Sequence, residues 1–560
     1  MTKLAVSFLL PVTLILGQTT PPPAAAEAKK TATIEGVVIN ETTKEPLRRV
    51  EVGLRGSGTS GMAVIGNNPN YSAVTDAAGK FRIENIEPGV YRVQNRKAGY
   101  VPSRTVQGFS PHWLKLAAAE SLKDLRYALL PQAVVTGRVL DDEGEPVQGV
   151  TVSCMRPLSR RGFPRMYSGG QAQTNDRGEY RVVGLESGKY YVQANIQRMM
   201  LTGAAPVSTT TAGEHKTALL STYYPNALDS AHATRVEARP GLEISSQDIT
   251  LRREKVFNVS GTALDVDGSP AKQSIVTLVQ DDEVFANEVI TGSGVDEKGK
   301  FTLGDVRPGR YTLALSREDG QSHRSTQSSI TVGDADLTRV LLQLPPTLEA
   351  KGMIALEGAD KKDFDFKIWV NASPADWSPF GGAGCQAKPD GSFTLSQLTP
   401  GRYTVNANIA NGYVQSIQVG SEDVFGKEVD AATLAVAGIR IVLRLDAAKV
   451  AGSVEIPEDR KAHVNAPTVV FVPADARLRS GGRFMTIELD QTNRFDLQGV
   501  RPGDYLAFAF EDFEYGAFEE PEVFAAVESQ ATKVTLGRNE SKELTLKILP
   551  WPAQFADRLQ

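Results

Sequence analysis

TDAAGKFRIENIEPGVYRV, residues 75–93, is the stretch on which the fold turns. Phe81 and Ile83 stand two apart, so both point to one face of an extended strand, and Ile86 follows as a third apolar anchor. Ahead of them, Asp76 and Gly79 read as a tight turn into that strand, with the glycine taking a positive φ that other residues resist. Behind them, Pro88-Gly89 reads as a type II turn, in which proline presets φ and glycine accepts the positive value. Tyr91 then opens a second strand in the position of a tyrosine corner, whose ring is buried while its hydroxyl bonds back to the chain.

The same sentence is written four more times: TNDRGEYRVVGLESGKYYV (174–192), VDEKGKFTLGDVRPGRYTL (295–313), KPDGSFTLSQLTPGRYTV (388–405) and DQTNRFDLQGVRPGDYLA (490–507). An aromatic residue is followed ten positions later by tyrosine in Phe81/Tyr91, Tyr180/Tyr190, Phe301/Tyr311, Phe393/Tyr403 and Phe495/Tyr505. Two before each tyrosine stands Gly89, Gly188, Gly309, Gly401 or Gly503. Two before each aromatic stands Gly79, Gly178, Gly299 or Gly391, with Asn493, the next most tolerant residue at positive φ, in the fifth copy. Some 40 to 45 residues upstream of each aromatic, a strand carries a glycine: Gly36, Gly137, Gly261, Gly352 and Gly452. Each copy closes on an alternating strand such as LRYALLP, VLLQLPP or LTLKILP. Short strands separated by turns every 8 to 12 residues predict a β-sandwich.

This pattern resembles the carboxypeptidase regulatory-like domain, a transthyretin-like sandwich. The resemblance is strongest in the first two copies and weaker in the last two. It implies an all-β chain, a tandem array of five seven-stranded Greek-key sandwiches. The expected boundaries are 32–131, 132–253, 254–345, 346–447 and 448–551, with a C-terminal tail at 552–560. The stretch 221–251 is similar to a form found in exported bacterial multi-repeat proteins, and the wider superfamily includes starch-binding-like modules, which raises carbohydrate binding as an alternative.

A chain of 560 residues exceeds what one core supports. Its net charge of −5, with both signs interspersed, argues against nucleic acid, which requires a concentrated basic face. Lys3 followed by the apolar run Leu4–Leu16 predicts a signal peptide over 1–17, too short to span a bilayer, then a Pro/Ala-rich spacer over 18–31. Nothing later is long and apolar enough to cross a membrane. The two cysteines, Cys154 and Cys385, fall in different copies, so stability rests on core packing rather than a disulfide framework.

The sequence offers no catalytic signature. None of the five histidines (His112, His215, His232, His323, His463) has a glutamate three residues on, which a zinc carboxypeptidase pair needs. No G-x-S-x-G elbow, phosphate loop or dinucleotide fingerprint occurs. Asp265 and Asp267, and Asp141, Asp142 and Glu143, sit in ordinary hairpin turns rather than a complete calcium loop. No enzyme, metal or cofactor is expected. The candidate ligand residues are aromatic. In FDFKIWVNASPADWSPF, Phe364, Phe366, Ile368 and Val370 alternate toward a core, which turns Trp369 outward, and Trp377 and Phe380 follow in a loop. Tyr223 and Tyr224 form the second candidate. The expected role is that of an exported, periplasmic or extracellular spacer or adhesion scaffold that meets a polysaccharide or a cell-envelope or surface protein.

Overall fold

The structure, a computed structural model, describes residues 31–56, 70–102, 112–160, 163–196, 209–212, 215–280, 288–319, 322–358, 367–375, 382–409, 411–457, 467–475, 478–479, 484–490, 492–511, 513, 518 and 521–558. The expected signal peptide and all but the last residue of the spacer lie outside these, as do Phe364, Phe366, Trp377 and Phe380.

The first copy shows the plan. Its strands are β1 (Ala32–Asn40), β2 (Glu51–Gly56), β3 (Asn70–Val74), β4 (Lys80–Ile86), β5 (Gly89–Arg96), β6 (Tyr100–Pro102), β7 (His112–Leu116) and β8 (Ser121–Pro131). One sheet has the order β4-β1-β8-β6 and the other β3-β2-β5-β7. The opening strand β1 runs antiparallel to β4 and parallel to the closing strand β8. The parallel pairing requires a crossover, which the intervening second sheet supplies. Between the sheets lie Ile34, Val52, Leu54, Phe81, Ile86, Tyr91 and Leu129, all buried. Burying each such side chain contributes about 1.5–3 kcal/mol before the chain-entropy cost is set against it.

The other copies repeat the register. The opening-strand glycine is paired across the sheet with the aromatic anchor every time: Gly36 with Phe81, Gly137 with Tyr180, Gly261 with Phe301, Gly352 with Phe393 and Gly452 with Phe495. In the third, fourth and fifth copies the ring lies in the space a glycine side chain would fill. An ideal Cβ on Gly261 would stand 2.9 Å from Phe301 Cε1, and one on Gly452 would stand 2.8 Å from Phe495 Cζ. From the other side the closing strand's carbonyl presses on the same glycines.

Strand number varies around the expected seven. Among the described residues the first copy has eight strands in two four-stranded sheets, and the third has three strands against four. In the fifth the closing strand Ser541–Leu549 pairs with both halves and joins them into one seven-stranded sheet, six strands in a continuous path and Thr532–Leu536 paired off it. The second copy adds a hairpin, Thr209–Ala212 and His215–Leu220, which pairs with Arg252–Lys255.

The tyrosine corner forms as expected. Tyr91, Tyr190, Tyr311 and Tyr505 donate their hydroxyls to the carbonyls of Glu87, Glu186, Arg307 and Arg501, at 2.6, 3.2, 3.0 and 2.8 Å. In the fourth copy Thr399 meets the Tyr403 hydroxyl instead, through its Oγ1 at 2.9 Å and its N–H at 3.2 Å. Burial pushes the Tyr91 and Tyr505 hydroxyls up to about 12, so both remain donors.

The glycine before the tyrosine departs from the type II expectation. Gly188, Gly401 and Gly503 have φ of 150°, 148° and 150°, far from the value near +80° of that turn, and Gly89 and Gly309 are not in the positive-φ region. What Gly89 and Gly309 share is contact: an added Cβ would sit 3.4 and 3.2 Å from the ring of Tyr91 and of Tyr311. The left-handed residue lies instead four positions after the aromatic: Asn85, Gly184, Asp305, Gln397 and Gly499, with φ of 58°, 79°, 59°, 66° and 74°. At that point two residues oppose one on the opening strand, a β-bulge that returns the +5 aliphatic residue to the core. The turn before the aromatic matches its reading, with positive φ at Gly79, Gly178, Gly299, Gly391 and Asn493.

Candidate functional site

In the fourth copy, the strands Ala383–Gln386, Trp369–Pro374, Arg402–Asn408 and Glu428–Asp430 form one sheet in that order. Ile368, Val370 and Ala372 are fully buried, so the alternation that turns Trp369 outward is real, and Trp369 is 44% exposed. Register sets Gln386 on one side of it and Asn408 on the other, and places Asn371 between Gly384 and Asn406. The indole lies along Gly384, where an ideal Cβ would stand 3.0 Å from its Nε1 and 3.2 Å from its Cζ2. Farther along the sheet Arg402 and Glu428 pair at 2.8 Å and cancel each other's charge.

The second candidate pair is different. Tyr223 is buried at 1% exposure and packs edge-to-face on Tyr191, ring centroids 6.3 Å apart, with Met155 completing the cluster. Tyr224 is half-buried. Tyr223 is therefore a packing residue and not an open platform. The segment after it folds back through the Tyr223–Ala227 bridge and covers the ring.

The acidic turns are occupied by arginines. Asp265 takes Arg317 and Arg324, the latter at 3.0 Å, and Asp142 takes Arg253 at 2.9 Å. Among the described residues no group of three or more His, Cys, Asp or Glu side chains is placed to hold a metal. Both cysteines are unpaired. No described helix is long and apolar enough to cross a membrane.

Sequence reasoning missed the joints between copies. At 4/5, Asp446 has 6% of its side chain exposed and accepts from Arg444 Nε and Nη2 at 2.9 and 2.6 Å and from the Tyr413 hydroxyl at 3.3 Å. From the fifth copy, Arg538 approaches Asp446 at 3.7 Å, and the Asn539 N–H donates to its carbonyl at 3.0 Å. Arg501 of the fifth copy stacks over Tyr413 and Phe425 of the fourth. At 2/3, Lys216 of the added hairpin reaches Asp305, the bulge residue of the third copy, at 2.8 Å.

Arg444 holds the Asp446 carboxyl below its ordinary range. The sign follows: a depressed folded pKa gives stability that is fully present above the unfolded value near pH 4, and that is lost as pH falls through the lower, folded value. The melting transition containing the fourth and fifth copies is therefore expected to lose more on going from about pH 7 to about pH 3 in the native chain than in Asp446→Asn, read by scanning calorimetry. Parallel losses in both would show that Asp446 is not the titrating group.

With the sandwich, its repeated core and its exposed face in view, the chain belongs among modular β-sandwich repeat proteins. The carboxypeptidase regulatory-like domain family matches residues 33–111, the first copy. The inverse autotransporter adhesin YeeJ of Escherichia coli strain K12 is 24% identical over 302 residues, which is 51% of this chain and 12% of that protein. The chain thus corresponds to only a small part of that adhesin's length. Among solved structures, a streptococcal ancillary pilin is 13% identical, covering 56% of this chain and 98% of its own, at a TM-score of 0.19. Two B repeat units of the collagen-binding protein of Staphylococcus aureus are 12% identical, covering 74% and 100%, at a TM-score of 0.13.

Proposed function

We infer that this chain is an exported, non-catalytic modular protein of the periplasm or cell exterior, in which sandwich domains at 32–131, 132–253, 254–345, 346–447 and 448–551 act as a spacer or adhesion scaffold. The observation that carries this reading is how the copies are joined. Strand β8 ends at Pro131 and the next opening strand begins at Ala133, while the fourth copy's closing strand ends at Arg444 and the fifth's opening strand begins at Ala448. Connections of so few residues leave little freedom, and the ion pairs at Asp446 and Lys216 restrain it further. The partial likeness to an adhesin agrees with the same role.

Small-angle scattering of the chain tests it. Five units of roughly 30–40 Å, from strands rising about 3.3 Å per residue, give a rod of about 150–200 Å and a radius of gyration of about 43–58 Å. A compact globule of this length has a radius near 24 Å. A value close to the latter sinks the spacer reading.

A further inference from the structure

We propose that the outer face of the fourth copy's sheet, centred on Trp369, is a binding site for a neutral polysaccharide chain. The inference rests on the scaffold reading above and names the partner of one of its modules. Four observations carry it.

The first is the ring itself. Trp369 is a large aromatic side chain left 44% exposed in a protein that buries its other anchors, and its indole is laid along the backbone of Gly384. An indole held against a sheet and left partly exposed offers apolar surface of the kind that meets the C–H face of a pyranose. The second is the absence of a side chain at Gly384: a Cβ there would stand 3.0 Å from the indole Nε1, so the ring would have to give way by a few tenths of an ångström, and a larger side chain would displace it further.

The third is the hydrogen-bonding complement. The side-chain amides flanking the ring on both neighbouring strands, Gln386 and Asn408, have no hydrogen-bond partner among the described residues. Asn371 and Asn406 extend the same row, Asn371 donating to Ser373 Oγ at 3.3 Å and Asn406 accepting from the Ala407 N–H at 2.9 Å. Each amide offers donors and an acceptor, the pairing that adjacent sugar hydroxyls require. The fourth is charge. The row Trp369, Asn371, Gln386, Asn406 and Asn408 is uncharged, Lys367 two residues before Trp369 puts an exposed cation at its end, and the nearby Arg402 and Glu428 neutralise one another at 2.8 Å. A uronate or sulfated polymer would ask for a basic face. This one fits a neutral chain.

The experiment is affinity electrophoresis and pull-down of the whole chain on starch, β-glucan, mannan, xylan and chitin, with alginate and chondroitin sulfate as charged comparators. Trp369→Ala, Gly384→Val and Leu341→Ala are run in parallel, Leu341 being a 63% exposed residue of another copy. The expected result is saturable retention on at least one neutral polymer that persists at about 0.5 M salt. Trp369→Ala and Gly384→Val are expected to weaken it about tenfold or more, with melting temperature unchanged in Trp369→Ala, while Leu341→Ala binds as the native chain does.

Retention on none of the neutral polymers, retention only on the charged ones, or equal binding by Trp369→Ala overturns the proposal. So does sedimentation showing self-association that Trp369→Ala abolishes, which would give the face to a second copy of the chain. The scattering measurement is independent of all these outcomes, so an extended particle without sugar binding would end this inference and leave the scaffold standing.

Discussion

Gly261→Ala is expected to unfold the third copy at temperatures where the rest of the chain stays folded, at a cost of about 3 kcal/mol. The glycine sits at the most crowded point of its sheet. Its added Cβ would fall inside the van der Waals shell of the Val340 carbonyl oxygen on the closing strand and 2.9 Å from Phe301 Cε1 on the other side. The first obstacle is backbone and cannot rotate away. The second is the ring that fills the third core, so moving it opens a cavity among Val259, Leu303 and Leu313. Gly294→Ala in the same copy meets nothing within 4 Å and serves as the control, expected to shift stability by less than about 0.5 kcal/mol. Because a multi-unit chain does not melt in one step, the readout is the copy's own transition in scanning calorimetry, supported by where limited proteolysis first cuts. Equal behaviour of the two variants would show that the glycine–aromatic pair is not what closes the sheet.

Phe510→Ala is expected to cost about 3–5 kcal/mol and to abolish much of the near-ultraviolet circular dichroism of the fifth copy. Phe510 is fully buried, yet it does not belong to the cluster between the sheets. It lies on the other face of its strand, where Phe508, Phe513, Phe518 and Trp551 surround it with ring centroids 5.6–6.0 Å away in stacked and edge-on pairs, and Phe524 packs on Phe508 at 6.4 Å. The helix Pro521–Val527 and the end of the chain cover this second core. The expected tail is thus part of the fold: Ala553–Arg558 is a 3₁₀ helix, and Trp551 Nε1 donates to the Phe555 carbonyl at 3.1 Å. A loss below about 1 kcal/mol would mean that the aromatic layer is loosely packed and adds little to this copy.

The second core shows where sequence patterning runs out. Strands of a sandwich with one wet face alternate, and KFRIENI does so, with Phe81 and Ile83 in and Lys80 and Arg82 out. VVFVP and YLAFAF do not alternate, because both faces of those strands are covered. The continuous run was legible, but what covers it, Phe513, Phe518, Phe524 and Trp551, is scattered over the following residues and carries no period of its own. The bulge is similar. Asn, Gly, Asp, Gln and Gly at its five positions share only tolerance of a left-handed backbone, a weaker sequence mark than the Pro-Gly pair beside it.

For the candidate site the division is equally clear. Alternation over Lys367–Val370 placed Trp369 outward, since a period of two allows nothing else once Ile368 and Val370 face the core. The sequence did not place Gln386 and Asn408 beside it, nor Gly384 beneath it, because strand neighbours are chosen by register across loops. Tyr223 was the second candidate, and only the chain folding back over it closed it off. What this sequence determined by itself is local: which residues turn, which face inward, and that the same turn-and-anchor motif recurs five times, because turn chemistry and side-chain alternation act over a few residues. Which amides gather round the indole, how Asp446 binds one copy to the next, and what covers the fifth sheet were decided by tertiary structure, because those contacts join residues far apart in sequence that only the packed sheets bring together.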